Sequence, residues 1–145
     1  MPPLYLPASD RPHYNRSMSK TVIATDKAPA AIGPYSQGMR CGNLIFTAGQ
    51  IPLDPTTQQV VAGGITEQTT RVIENLKAVL EAAGSNLDSV VKATVFLKNF
   101  DDFAAMNEVY GKYLGLHGAP PVRTTIEVSR LPRNVLIEIE FIAEV

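Results

Sequence analysis

Metal ligands and disulfide partners are scarce in this chain. It has one cysteine, Cys41, and two histidines, His13 and His117, far apart in sequence. A single cysteine excludes an internal disulfide and points to a reducing compartment. No Cys/His cluster has the spacing of a zinc site, so no metal is expected. No apolar run approaches the roughly 20 residues that cross a bilayer, so no membrane partner is expected. A formal net charge of −1 leaves no basic, aromatic-interleaved stripe, which argues against nucleic acid as a partner. Internal repeats and low-complexity segments are also missing.

What is present describes an ordinary soluble globular protein. Of the 145 residues, 45% are apolar and 19% charged, enough for one domain with a sizeable core. Residues 1–18 read differently from the rest. Pro2, Pro3, Pro7 and Pro12 and the lack of periodicity describe a flexible N-terminal extension. Arg11 and Arg16 beside a single acid, Asp10, resemble an organelle-import segment in composition, but the prolines interrupt any amphipathic helix. A cytoplasmic location is therefore expected, with mitochondrial import as the alternative. Met18 opens MSKTVIAT as a second candidate start. The folded domain is expected over residues 19–145.

Two segments carry helical periodicity. In TEQTTRVIENLKAVLEAAG, Val72, Leu76, Val79, Leu80 and Ala83 share one face. Thr66 is the expected cap, Glu67 suits the positive end of the dipole, and Gly84 the left-handed exit. From about Asp101 to Leu114, Phe103, Met106, Tyr110, Tyr113 and Leu114 align. Strands are expected at Thr21–Thr25, Ser36–Cys41, Leu44–Ala48, Val90–Lys98, Val122–Ser129 and Val135–Ala143. Gly42-Asn43 signals a tight hairpin between the second and third. The order β-β-β-α-β-α-β-β fits an α+β layer: one mixed six-stranded sheet with two helices on one face.

Strand alternation then sorts the faces. On the last strand Ile137, Ile139 and Phe141 must meet the helices, while Glu138, Glu140 and Ile142 point the other way. On the strand before it, Thr124, Ile126 and Val128 face one way and Arg123, Thr125 and Glu127 the other. Thr94 and Phe96 make the uncovered side of the sheet rather apolar. A sheet of this kind uses its second face for subunit packing, so an oligomer with sites between chains is expected. An arginine and acids on alternating strands, beside so much apolar side chain, suggest a pocket for a small anion.

IGPYSQG (Ile32–Gly38), FTAGQIPLDP (Phe46–Pro55), NLKAVLEAAG (Asn75–Gly84), VVKATVFL (Val90–Leu97), FAAMNEVY (Phe103–Tyr110) and PVRTTIEVSRLPRNVLIEIEFIA (Pro121–Ala143) occur in this order. Together they resemble the RidA/YjgF family of reactive-imine deaminases, over essentially the whole domain. The resemblance implies a chorismate-mutase-like α+β fold and a homotrimer with three sites in the clefts between subunits. It also implies cofactor-free hydrolysis of enamines and imines released by pyridoxal-phosphate enzymes, notably 2-aminoacrylate from serine, to 2-oxo acids and ammonia.

The residues carry that chemistry as follows. Arg123 matches the family's essential arginine in PVRTTIEV, and a guanidinium binds a carboxylate through two parallel hydrogen bonds. Its bland alternative is a structural ion pair with Glu127 or Glu138. Glu138 matches the family's acid, able to order the attacking water or pass a proton to nitrogen. The alternative is a solvated acid or a counter-ion of Arg123. Glu140 is read as structural. Tyr35 closes a pocket wall or packs at an interface. Asn107 lines the site or faces water. Gly49 ends a strand where backbone can approach a ligand. The resemblance assigns its carbonyl to the substrate nitrogen, and a simple turn glycine is the alternative. Thr125 departs from the family, many members of which have cysteine there. It keeps a small polar contact and removes thiol chemistry. Cys41 reads as a small buried hydrophobe, His117 as a solvated loop residue, and Arg130 and Arg133 as turn residues.

Two rival functions compete with imine hydrolysis. One is an endoribonuclease or translation inhibitor, disfavoured by the charge balance and the missing histidine pair. The other is a non-catalytic, chaperone-like binder of 2-oxo acids that uses the same Arg123.

Overall fold

The computed structural model describes residues 19–145, so the expected extension over residues 1–18 lies outside the described residues. Six strands form one sheet: β1 (Lys20–Ile23), β2 (Gly38–Cys41), β3 (Leu44–Thr47), β4 (Val90–Leu97), β5 (Val122–Glu127) and β6 (Ile137–Glu144). Their order across the sheet is β1-β2-β3-β6-β4-β5. Every neighbouring pair is antiparallel except β4 and β5. Helix α1 (Ile65–Ala82) connects β3 to β4, and α2 (Phe103–Leu114) connects β4 to β5. The expected mixed sheet with two helices on one face is what the chain forms.

Helix α1 folds because its apolar stripe is continuous. Val72, Ile73, Leu76, Val79 and Leu80 are all fully buried, each worth about 1.5–3 kcal/mol of transfer free energy. It starts two residues earlier than a Thr66 cap would require. Gly64 occupies the capping position, and its amide donates to Glu67 Oε2 at 2.8 Å. Thr66 lies inside the first turn, where its carbonyl accepts from Thr70 Oγ1. At the other end Gly84 adopts φ 79°, as the exit requires.

β6 supplies the centre of the core. Ile137, Ile139, Phe141 and Ala143 are buried against the helices, and Glu138, Glu140 and Ile142 project to the other face. A long connection from Ala48 to Gly64 wraps back over α1. The buried Asn75 side chain pins it by donating to Leu53 O at 2.9 Å. Arg71 Nε holds the Asn75 oxygen from one helical turn away.

The uncovered face keeps its apolar character. Val22, Phe46 and Ile126 are all exposed, and Phe96 and Ile142 half-exposed. Cys41 is half-exposed rather than buried. Its register with Leu44 and Lys20 puts it on the uncovered face, the side that also carries exposed Phe46.

Candidate active site

The parallel register of β5 on β4 decides which way Arg123 points. Arg123 pairs with Ala93, Thr125 with Val95 and Glu127 with Leu97. Ala93, Val95 and Leu97 are buried beneath the helices, so Arg123 and Thr125 lie on the helix side. Glu138 pairs with Phe96, and Phe96 with Ile126, three residues along β5 from Arg123. Arg123 and Glu138 therefore sit on opposite faces of the sheet. Two strand spacings and three residue rises also separate them by roughly 14 Å in its plane. Within one chain the six expected site residues therefore fall into two groups.

The first group gathers on α2. Arg123 Nη1 donates to Asn107 Oδ1 at 2.6 Å. Its guanidinium carbon stands 4.7 Å from the centroid of the Tyr110 ring and 5.5 Å from that of Phe103. No carboxylate lies within 4.0 Å of it among the described residues, where Lys112–Glu108 is the sole ion pair. Glu127, offered as a counter-ion, instead accepts from the Phe100 amide at 2.9 Å. Four of its five N–H donors thus have no partner among the described residues. Asn107 is exposed, as one of its alternatives had it, yet its side chain holds the arginine. Thr125 Oγ1 and Tyr110 Oη are buried without hydrogen-bond partners. Burial pushes the Tyr110 hydroxyl pKa up, opposed by the Arg123 charge, so the phenol stays neutral.

The second group lines a cavity of ≈ 500 Å³ at the end of β3. Tyr35, Gly49 and Glu138 share it with Ile32, Ile51, Leu53 and Pro132, giving polar groups at one end of an apolar wall. Gly49 earns its place by lacking a side chain: a Cβ there would collide with Glu138 Oε1 and stand 2.9 Å from Cδ. Its amide and carbonyl have no hydrogen-bond partners among the described residues. Burial raises the Glu138 pKa above the usual glutamate range, and neighbouring Glu140 raises it further. A carboxyl whose charged form is disfavoured accepts a proton more readily than an ordinary glutamate. The Tyr35 hydroxyl accepts from the Ile32 amide at 3.1 Å, which folds the loop into a wall.

Several supporting residues escaped sequence reasoning. Buried Gln37 donates from Nε2 to the carbonyls of Thr25, Ala28 and Pro29 and accepts the Thr25 amide, fixing the Pro29–Ala30 wall. Arg133 donates to Gln58 O and Gln59 Oε1. Phe103 and Tyr110 were assigned only to a core stripe. Their spacing with Asn107, at 103, 107 and 110 on one helix face, was the available signal. His117 is exposed in its loop as expected, and no group of three His, Cys, Asp or Glu among the described residues could hold a metal ion.

A family model described as Endoribonuclease L-PSP matches residues 25–145. A 2-iminobutanoate/2-iminopropanoate deaminase of Escherichia coli is 50% identical over 127 residues, covering 87% of this chain and 98% of that protein. The chain belongs to the RidA/YjgF/L-PSP family. A RutC family protein of Pyrococcus abyssi is 60% identical over 126 residues, covering 87% of this chain and 98% of its own length. Among solved structures of RidA/YjgF/L-PSP-type proteins, Escherichia coli TdcF with bound serine superposes with a TM-score of 0.82 at 43% identity. The match covers 86% of this chain and 98% of that one. The six-stranded sheet with two helices is thus the YjgF-like fold of the family.

Proposed function

We propose that this protein hydrolyses 2-imino acids and their enamine tautomers, such as 2-iminopropanoate and 2-aminoacrylate, to 2-oxo acids and ammonia. The reaction takes place between copies of the chain in a homotrimer. The observation that carries this reading is the Arg123 guanidinium, oriented by neutral groups and free of any carboxylate among the described residues. A fixed, partly exposed arginine with no acidic partner among the described residues is a receptor for a small carboxylate. Relatives named as 2-iminobutanoate/2-iminopropanoate deaminases, at 50% identity, and serine bound to TdcF point to the same class of ligand.

The separation of Arg123 from Glu138 supports the between-chain site. A three- or four-carbon acid cannot span roughly 14 Å and cross a sheet. A neighbouring copy that packs on the exposed apolar face brings its own half of the site to the other half. In that arrangement Arg123 grips the carboxylate. The enamine takes a proton at carbon to become the imine, and water adds to the C=N carbon. Glu138 orders that water, accepts its proton and returns one to nitrogen as ammonia leaves. Gly49 offers its unpaired carbonyl to the substrate N–H. Thr125 supplies a small polar wall without a thiol. Functional linkage to pyridoxal-phosphate enzymes follows, since these release such intermediates.

The test adds the protein to a serine dehydratase generating 2-aminoacrylate and follows pyruvate release. Acceleration by the wild type, reduced on the order of 100-fold or more in Arg123→Ala, is the expected result. Pyruvate binding without acceleration would leave only a 2-oxo acid binder. RNA cleavage insensitive to Arg123→Ala would favour the endoribonuclease of the family description instead.

A further inference from the structure

We propose that Tyr110 and Phe103 are positioning residues that hold Arg123 as a charged, pre-aimed carboxylate clamp; this rests on the carboxylate-binding role of Arg123 given above. A surface arginine ordinarily has rotamer freedom that is lost when it grips a ligand. Proteins commonly remove that freedom with an acidic partner. An acid here would also compete with the ligand's carboxylate.

Among the described residues, the guanidinium is fixed without an acid. Asn107 Oδ1 accepts one N–H at 2.6 Å, and the faces of Tyr110 and Phe103 stand 4.7 and 5.5 Å from the central carbon. All three come from one stripe of α2, so a single helix sets the geometry. A ring face attracts a cation through its quadrupole and leaves the net charge intact. Neutral Asn107 does the same through its dipole. The cradle therefore orients the arginine and preserves its charge.

Each ring is itself held. Tyr110 is only 6% exposed and belongs to the core cluster. Phe103 stacks on Phe100 with centroids 5.1 Å apart and planes 14° apart. The Phe100 amide also occupies Glu127, the acid on the same side of β5 as Arg123. The turn that anchors one ring thus also engages the nearest alternative counter-ion on that strand.

The experiment compares Tyr110→Leu, Phe103→Leu and Tyr110→Phe with wild type. It measures pyruvate affinity by calorimetry and KM and kcat by the coupled 2-aminoacrylate assay. Loss of either ring should raise the pyruvate Kd and KM by roughly 5- to 10-fold and change kcat less than twofold. Tyr110→Phe, which keeps the ring, should restore wild-type affinity. In an Arg123→Lys background, Tyr110→Leu should add less than twofold, because the two residues act as one unit. Wild-type affinity in both leucine variants, or a full additive loss in the lysine background, overturns the proposal. Should Tyr110→Leu not fold, half-buried Phe103→Leu carries the same test. An Arg123→Ala variant that binds pyruvate and hydrolyses imine normally would remove the functional reading itself. Loss in Arg123→Ala with wild-type ring variants would remove only the positioning role.

Discussion

The Glu138 carboxyl occupies the space that a side chain at Gly49 would fill. The colliding atoms are the far end of a flexible chain, so Glu138 can swing aside. Gly49→Ala should therefore fold and lose function. We expect a Tm change of no more than about 4 °C, equivalent to ~1 kcal/mol. Imine hydrolysis should fall roughly 10- to 100-fold, since a displaced acid no longer meets the water. Thermal unfolding and the coupled assay on the same sample check both halves.

The raised pKa of Glu138 has a consequence for stability. Burial, and secondarily Glu140, disfavour its charged form in the folded state. The proton is bound more tightly folded than unfolded. Its contribution to stability is fully present below the ordinary glutamate range and is lost as pH rises through the higher folded value. Glu138→Gln should thus raise Tm at pH 7, and the gain should vanish in acid. Melting curves of wild type and variant across that range test it. A constant gain at every pH would count against burial as the cause.

Helices α1 and α2 are joined by a hydrogen bond from the Tyr113 hydroxyl to Glu74 Oε1 at 2.8 Å. Burial first, then that acceptor, pushes the Tyr113 pKa up to about 12. The folded value lies above the unfolded one, so this stabilisation persists below about pH 10 and is lost as pH climbs through the folded value. Tyr113→Phe should cost about 1 kcal/mol at neutral pH. Denaturant titration gives the cost, and in ultraviolet titration the variant should lack one of two late-ionising tyrosines, Tyr110 being the other.

Gln37 satisfies one amide and three carbonyls of the Thr25–Pro29 segment from a buried position. Gln37→Leu keeps the volume and strands those groups. A loss of about 1–3 kcal/mol is expected, with faster hydrogen exchange of the Thr25 amide.

The apolar outer face gives a test of assembly. Phe46 is 41% exposed within one chain. Phe46→Glu should leave the monomer folded and shift the proposed trimer towards monomer in light scattering. Activity should fall in parallel if the two halves of the site come from neighbouring copies. A monomeric variant with wild-type activity would refute a shared site.

Alternation made much of this legible in advance. Ile137, Ile139 and Phe141 have one periodicity and one destination, and the Gly42-Asn43 turn sets the β2–β3 register unaided. The direction of Arg123 was not legible. A period of two divides β5 into two sets without saying which meets the helices, and the choice comes from its parallel pairing with β4, a long-range contact. The α1 cap was misread for a related reason. A side-chain cap leaves a residue signature at Thr66, whereas Gly64 acts through its backbone and needs only the Glu67 carboxylate opposite. Asn107 and Tyr110 were visible as helix positions, but their common partner lies on a strand after the helix.

β6 sits between β3 and β4 although every other strand precedes it in the chain. A nascent polypeptide emerging from the ribosome therefore has β1–β3 and β4–β5 as two ribbons with a gap between them. Zipping must await the segment from residue 137 onward, and a product cut before that point leaves the β3 and β4 edges unpaired and open to aggregation.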